Sequence, residues 1–422
     1  MQNQRQDAFN YAEGVIEAII EKISGLKKSR KKFMLHIFLL FMEMRGRCNF
    51  INMSRYGKYS EKSYRNNFAE DFDFLSFNSE LVKQNCSEHL VIAFDPSYIP
   101  KSGKHTEHLG YFWSGTSGKA LKGIEIGSMA VIDVENNTAM SLESVQTPSS
   151  KELHAQGKTM VDHYGEIIAE RAESLRKLSV YLAVDGYFAK VGFINTITEK
   201  AKMEVIGKLR NDANLKYLYN GIREKRKGAP KKFDGKVNIK QIDKRRFQFQ
   251  WEDEETKLYS GVCWSERLQR KIKVAYLEHW DKEMFTGKYA VLFSTDITLD
   301  GMTIYRYYKS RYQIEFLFRD SKQFCGLTHC QARDKEKLRF HFNTSLTTVS
   351  LAKAAHYLSV KKEKRIAFSM QDIKTFYANK FIAERIFSNL DLDLSCEKIK
   401  NIYWDALSIG SKNDWFWNSR AA

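Results

Sequence analysis

Two aspartates stand where short apolar runs end. Asp95 follows His89–Phe94 (HLVIAF) and precedes Pro96, and Asp185 follows Val180–Val184 (VYLAV) and precedes Gly186. Each run has the length and apolar content of a buried strand, with the first ending at Asp95-Pro96 because proline stops further pairing. A carboxylate at the carboxyl end of such a strand points into the crevice where α/β sheets place their chemistry. Two of them on neighbouring strands can bridge hard cations, and Mg²⁺ suits oxygen ligands of this kind. A pair of such ions about 3.5–4 Å apart can activate an attacking oxygen and stabilise a leaving oxygen at phosphorus. Glu315 is the candidate third carboxylate. On a helix it shares one stripe, within a sector of roughly 60° at 100° per residue, with Tyr308, Arg311 and Lys322. A carboxylate flanked by two cations and a phenol suits metal and phosphate binding. Spacing alone leaves open an ordinary Arg311–Glu315 surface pair at i,i+4.

The elements that must position these residues follow from pattern. After the first strand, Glu125–Val134 and Thr138–Val145 read as two more, joined by a tight turn at Asn136-Asn137. A helix over 157–178 leads to the strand 180–184, a helix over 188–202 to a strand over 203–208. Three antiparallel strands followed by two added through helices is the order of the ribonuclease H core. Residues 211–285 interrupt it with a basic stretch, Arg223–Lys236, and candidate strands at 247–251, 257–264 and 271–277. The core resumes with a strand at 289–293 and one helix over 303–324. The expected fold class is therefore α/β: a ribonuclease H-like catalytic core, with a mixed five-stranded sheet and flanking helices, interrupted by a β-rich subdomain and bracketed by helical ends. The corresponding segments are 1–80, 88–210, 211–285, 286–345 and 346–422. The first is a helical candidate for DNA contact, through the basic run Lys27–Lys32 and the basic-aromatic stretch Arg55–Arg65, although a solvated helix face accounts equally well for any single residue there.

Composition narrows the partner. Lys and Arg total 68 against 51 Asp and Glu, a net charge of +17 that points to a polyanion. The longest apolar run, Phe33–Met44, is interrupted by His36 and Glu43 and is far shorter than the ~20 residues a bilayer span needs. The first residues lack the apolar core of a signal peptide, so the chain reads as soluble and intracellular. Six cysteines form no CxxC pair, and Cys325, His329 and Cys330 lack a clear fourth zinc ligand. Ser102-Gly103-Lys104 echoes a phosphate-binding loop but has Tyr98 where that motif needs glycine. Lys101, Lys104, Lys119 and Lys122 follow the first strand and can face DNA or solvent. Glu125 and Asp133 alternate with apolar residues and read as solvent-facing.

The residues Tyr308-x2-Arg311-x3-Glu315-x6-Lys322 match the Y-x2-R-x3-E-x6-K signature of the insertion-sequence-four family of DDE transposases, which the chain resembles over about 89–355. Asp95-Pro-Ser resembles that family's first-aspartate strand and Val184-Asp185-Gly186 its second. Leu209–Ala213 with the basic Lys225–Lys232 stretch resembles the start of its β insertion, and Phe342–Leu346 the helix after the signature.

The resemblance implies an enzyme that binds terminal inverted repeats of double-stranded DNA, excises its own element and joins it to target DNA. Asp95, Asp185 and Glu315 would hold two Mg²⁺ ions, with Mn²⁺ as a substitute. The reactions would be hydrolysis at the element end, then transesterification by a DNA 3′-hydroxyl. Tyr308, Arg311 and Lys322 would grip phosphates near the cut end. Arg210, Lys225, Arg226, Lys231 and Lys232 would contact DNA. Trp264 is the candidate for holding a flipped base, with Trp251 as second choice. A homodimer is expected because two ends must be held together, in a bacterial cytoplasm at the nucleoid. The alternative is a domesticated or inactive relative that binds specific DNA without cutting it. A ribonuclease H-type nuclease acting on RNA or hybrid duplex is disfavoured by the insertion and by the Tyr-Arg-Glu-Lys stripe.

Overall fold

The computed structural model describes residues 3–221, 229–281 and 286–411. Five helices open the chain: α1 (Asn3–Lys22), α2 (Lys28–Glu43), α3 (Phe50–Tyr56), α4 (Glu61–Ala69) and α5 (Phe74–Asn85). The starts of the last three are set by side chains. Asn49, Ser60 and Asp73 accept from the backbone N–H of Asn52, Ser63 and Ser76, pairing donors that a first helical turn leaves free. The basic run at the start of α2 is not wholly a surface feature. Arg30 is buried, donating from Nη1 to the Asn67 carbonyl (2.7 Å) and from Nη2 to that of Glu70 (2.9 Å). It thus closes the end of α4, with its guanidinium over the Phe340 ring.

The sheet begins with β1 (Leu90–Pro100), β2 (Gly110–Ser114), β3 (Lys119–Asp133) and β4 (Thr138–Thr147). Helices α6 (Ser150–Ala155), α7 (Met160–Glu170) and α8 (Ala172–Arg176) lead to β5 (Tyr181–Ala183). A 3-10 turn, α9 (Val191–Asn195) and a π turn lead to β6 (Glu204–Leu209). Then come β7 (Leu215–Leu218), β8 (Phe233–Lys236), β9 (Gln248–Glu252), β10 (Thr256–Ser265), β11 (Arg270–Asp281) and β12 (Thr286–Ser294). The rest is helical: α10 (Gly301–Ser310), α11 (Gln313–Phe324), α12 (Lys335–Lys353), α13 (Met370–Asn389) and α14 (Glu397–Ser408).

All twelve strands belong to one mixed sheet. β1 is antiparallel to β3 and parallel to β5, β5 is parallel to β6, and β4 pairs with β3. β12 then pairs antiparallel with β6 and carries the sheet outward through β11 and β10 to β7, β8 and β9. The strands between 211 and 285 therefore extend the sheet of the first half. Strand β2 and helix α6 have no counterpart in the sequence pattern, and the helix expected over 157–178 is broken into α7 and α8. The single helix expected over 303–324 is two: α10 and α11 meet at Arg311-Tyr312, where Ile314 N–H bonds back three residues to the Arg311 carbonyl.

Two expectations are overturned here. Glu125 and Asp133 do not face solvent; they are 5% and 0% exposed. β3 lies between β1 and β4, and both of its faces are covered, so alternation separates two interiors rather than inside from outside. Asp133 is satisfied by Ser87 and Asn136, each donating from backbone and side chain. Nor does β1 end at Asp95-Pro96; it pairs with β3 as far as Pro100. β5 stops at Ala183, so beyond Asp95 strand β1 is bonded along one edge, where a residue without an N–H is accommodated.

The outer edge of β4 is closed by helix side chains. Asn343 of α12 accepts from the Ser144 N–H (2.8 Å) and donates to the Ser144 carbonyl (2.9 Å), as a further strand would. Ser350 accepts from the Ser141 N–H, Asn78 of α5 donates to the Leu142 carbonyl, and Lys353 to that of Ala139. A buried edge needs such partners, because an unpaired backbone group away from water costs about 1–3 kcal/mol. α12 is buried almost all round, and its Thr344 and Thr348 hydroxyls bond back to carbonyls one turn earlier.

Candidate active site

Strand register brings the two aspartates together. Ile92 lies opposite Leu182 and Ala93 opposite Ala183 in the parallel β1–β5 pair. Carried forward two residues, this register sets Asp95 beside Asp185 at the carboxyl end of β5. The turn after Asp185 is fixed locally, with Asp185 Oδ1 accepting from the Tyr187 N–H at 2.7 Å. Gly186 fits closely there, since a Cβ would lie 3.3 Å from the Lys208 carbonyl of β6.

The signature helix segments lie across this end. Ile314 and Phe318 are buried, anchoring α11. Arg311, at the junction of α10 and α11, places Nη2 3.6 Å from Glu315 Oε1, and its guanidinium lies 5.8 Å from the Tyr308 ring centre. Its Nε is buried and has no hydrogen-bond partner among the described residues. Asp95 is pushed up to about 7, first by burial; Arg311 opposes the rise, while Asp185, Glu315 and Glu125 add to it. Burial lowers Lys322, and the Asp95 charge counters that. Tyr308 is raised by burial, with Arg311, Asp185 and Glu315 as its charged neighbours. All six predicted residues of the site therefore share one electrostatic environment, in which Arg311 faces Asp95 and Glu315.

The donor set, carboxylate oxygen throughout, fits a hard divalent cation. Among the described residues, however, no three His, Cys, Asp or Glu side chains are close enough together to hold one. Asp95 and Asp185 are adjacent through the sheet, while Glu315 is turned to Arg311. The cysteine cluster gives no zinc site either. Burial pushes the Cys325 thiol up to about 12 and that of Cys330 to about 11, and His329 Nδ1 accepts from the Cys48 N–H.

The remaining candidates scatter. Arg210 is one residue past β6, near Asp185, and pairs with Asp212 at 3.2 Å. Trp251 is opposite Leu258, which registers through Leu277 with Ala290 at this end of the sheet, and it stacks on Tyr305 of α10. Trp264 is elsewhere. Lys208 aligns through Leu292 and Ala275 with Ser260, and Trp264 is four residues further along β10, toward the opposite end, against Phe233. Lys231 pairs with Asp234 and Lys232 is exposed, both beside the outlying β8. Lys225 and Arg226 lie outside the described residues. Two exposed aromatics escaped the sequence reading: Tyr187, under the Lys190 ammonium at 4.0 Å, and Tyr312, at the α10–α11 junction. The aromatic following Asp185-Gly186 was the available signal for the first.

Glu125 gives this region a pH dependence. Burial pushes its carboxyl up to about 7 against the hydrogen bond from the Tyr164 hydroxyl. Its folded value exceeds its unfolded one, so its contribution to stability is full below about 4.5 and is lost as pH rises through about 7. Glu125→Gln removes the titration and keeps an acceptor for Tyr164. Thermal melts at pH 5 and pH 8 should show the variant gaining on wild type as pH rises; an unchanged difference would contradict the assignment.

No curated protein matches the chain. Among solved structures, a cryo-EM structure of the piggyBac transposase synaptic complex with hairpin DNA matches at 12% identity with a TM-score of 0.38, covering 95% of this chain and 82% of that one. A likeness that loose carries no argument. The family match does: the transposase DDE domain matches residues 88–351, from just before β1 to the last turns of α12. That span contains Asp95, Asp185 and the whole α10–α11 pair, and the chain belongs to the family of transposase DDE domains.

Proposed function

We propose that this protein is an active transposase of the insertion-sequence-four type, which excises its own element at terminal inverted repeats and joins it to target DNA. The observation that carries this reading is the β1–β5 register, which sets two carboxylates side by side with the Glu315 helix across them. The strand order β4-β3-β1-β5-β6 supports a ribonuclease H-like core. No helix among the described residues is long and apolar enough to cross a membrane.

Asp95, Asp185 and Glu315 would hold two Mg²⁺ ions, or Mn²⁺ in their place. When bound, these supply Lewis-acid polarisation at the attacking and leaving oxygens. The protein's own groups do the rest. Asp95 would serve as a ligand in its carboxylate form. Arg311, whose guanidinium lies beside Glu315, would be placed to meet a phosphate of the bound DNA. Lys322 and the Tyr308 hydroxyl reach the same phosphates, and burial of the site keeps these contacts strong. Two DNA ends require two such sites, so the working form is a homodimer on double-stranded DNA.

The test is excision from a supercoiled plasmid carrying the gene with its native flanks. Purified protein with Mg²⁺ should release a linear or circular element. Binding to the flanks without excision would instead favour an inactive DNA-binding relative.

A further inference from the structure

The two most exposed aromatic side chains among the described residues share one face of one hairpin. Tyr111 is 71% exposed and Trp113 64%. Both are on β2, opposite Lys122 and Ala120 of β3. The alternate residues Phe112 and Ser114 are buried, so the ribbon is seated on the protein by one face and bare on the other. Its base is fixed as well: His108 Nδ1 meets Glu152 Oε1 of α6 at 3.1 Å, and Gly110 packs so closely that a Cβ would meet Ser149 at 2.8 Å. Water gains nothing from two large rings held rigidly outward, and such a patch marks a contact surface.

Charge and position indicate the partner. From 108 to 124 there is no acidic residue, while Lys119 and Lys122 are exposed and Lys104 is exposed in the preceding loop. The pairing also fixes where the ribbon goes. β1 ends at Pro100 opposite Gly123, and β3 continues past it through Lys119–Lys122 with β2 alongside. The ribbon thus extends beyond the carboxyl end of β1, in the direction in which that strand runs on from Asp95. Asp95 is opposite Ser128 and Trp113 opposite Ala120. The eight residue steps of β3 from Ala120 to Ser128 span at most about 27 Å, at ~3.4 Å each. That equals the rise of about eight base pairs of B-form DNA, whose major groove admits a two-stranded ribbon.

We propose that the β2–β3 ribbon is a duplex-DNA contact, seating Tyr111 and Trp113 in the groove and Lys119 and Lys122 on phosphates, within about eight base pairs of the bond cut at Asp95. This rests on the DNA-processing reading above and adds a contact that the carboxylate site does not supply.

The test uses full-length protein and an end-labelled duplex fragment carrying the gene's native flank. Two double variants are compared with wild type, Tyr111→Ala with Trp113→Ala, and Lys119→Ala with Lys122→Ala. The rings and ammonium groups are exposed, so melting temperatures should stay at the wild-type value. The aromatic pair should weaken binding tenfold or more and erase hydroxyl-radical protection within about eight base pairs of the cleavage point. The lysine pair should reduce the slope of log affinity against log salt by about 2. Wild-type footprints and affinities in both variants, with wild type itself binding, would overturn the ribbon contact alone. Failure of wild type to bind would overturn the DNA reading and this proposal with it. Intact footprints with a shift from dimer to monomer in sedimentation would assign the ribbon to a second copy of the chain and overturn the proposal as well.

Discussion

Glu315→Gln should lower strand cleavage by at least about 10³-fold, some 4 kcal/mol of transition-state stabilisation, while DNA binding stays within about twofold of wild type. The amide preserves size and removes the charge, so what is lost is cation holding rather than the fold. Glu315 is partly exposed and its visible partner is Arg311, at 3.6 Å, so the substitution leaves no buried charge unpaired. Asp185→Asn should behave alike, because the Oδ1 that accepts from Tyr187 N–H is retained. Single-turnover cleavage with saturating protein, beside a binding titration in Ca²⁺, separates the two effects. Parallel losses of binding and cleavage would show that Glu315 serves structure or DNA contact and would sink its role as a cation ligand.

Asn343→Ala should destabilise the protein by about 3–5 kcal/mol. The side chain bonds both the N–H and the carbonyl of Ser144, and all three groups are inside. Truncation leaves two backbone groups unpaired at about 1–3 kcal/mol each and a small cavity beside them. Ser350→Ala, which frees one N–H, should cost about 1–2 kcal/mol. Urea unfolding followed by far-ultraviolet circular dichroism gives both values. Equal losses in the two variants would mean that Asn343 is no more than a packing residue.

The two aspartates were the legible part of the site. A short apolar run closing on an aspartate says that a strand is there, and two such runs suffice to propose the pair, but the run does not mark where the strand stops: β1 continues through Pro96 to Pro100. The signature stripe was readable because four polar residues at helical spacing need only one turn angle to be placed on a face. What failed needed tertiary context. Glu125 and Asp133 were assigned outward because alternation carries no information on whether the second face of a strand is covered. β2 was hidden by the glycines, serines and lysines that flank Tyr111–Trp113. The break at Arg311-Tyr312 lies in a stretch without glycine or proline, and nothing local announces it. Trp264 was chosen as a tryptophan of the insertion, and only the register through β12, β11 and β10 shows that it lies toward the end of the sheet away from Asp185.

The closure of β4 by Asn343 also sets a schedule for synthesis. Ser144 and Asn343 are 199 residues apart. At roughly 5–20 residues per second, the ribosome delivers α12 about 10–40 s after β4 has emerged. During that interval the β4 edge has no cover from α12, and another nascent chain on the same message presents the same bare edge. A polysome making this protein therefore holds a row of pairing-competent strands, and only completion of α12 removes each from it. Yield of soluble protein should thus depend on how quickly codons 145–353 are read, a sensitivity that a sheet closed by its own neighbouring hairpin would not have.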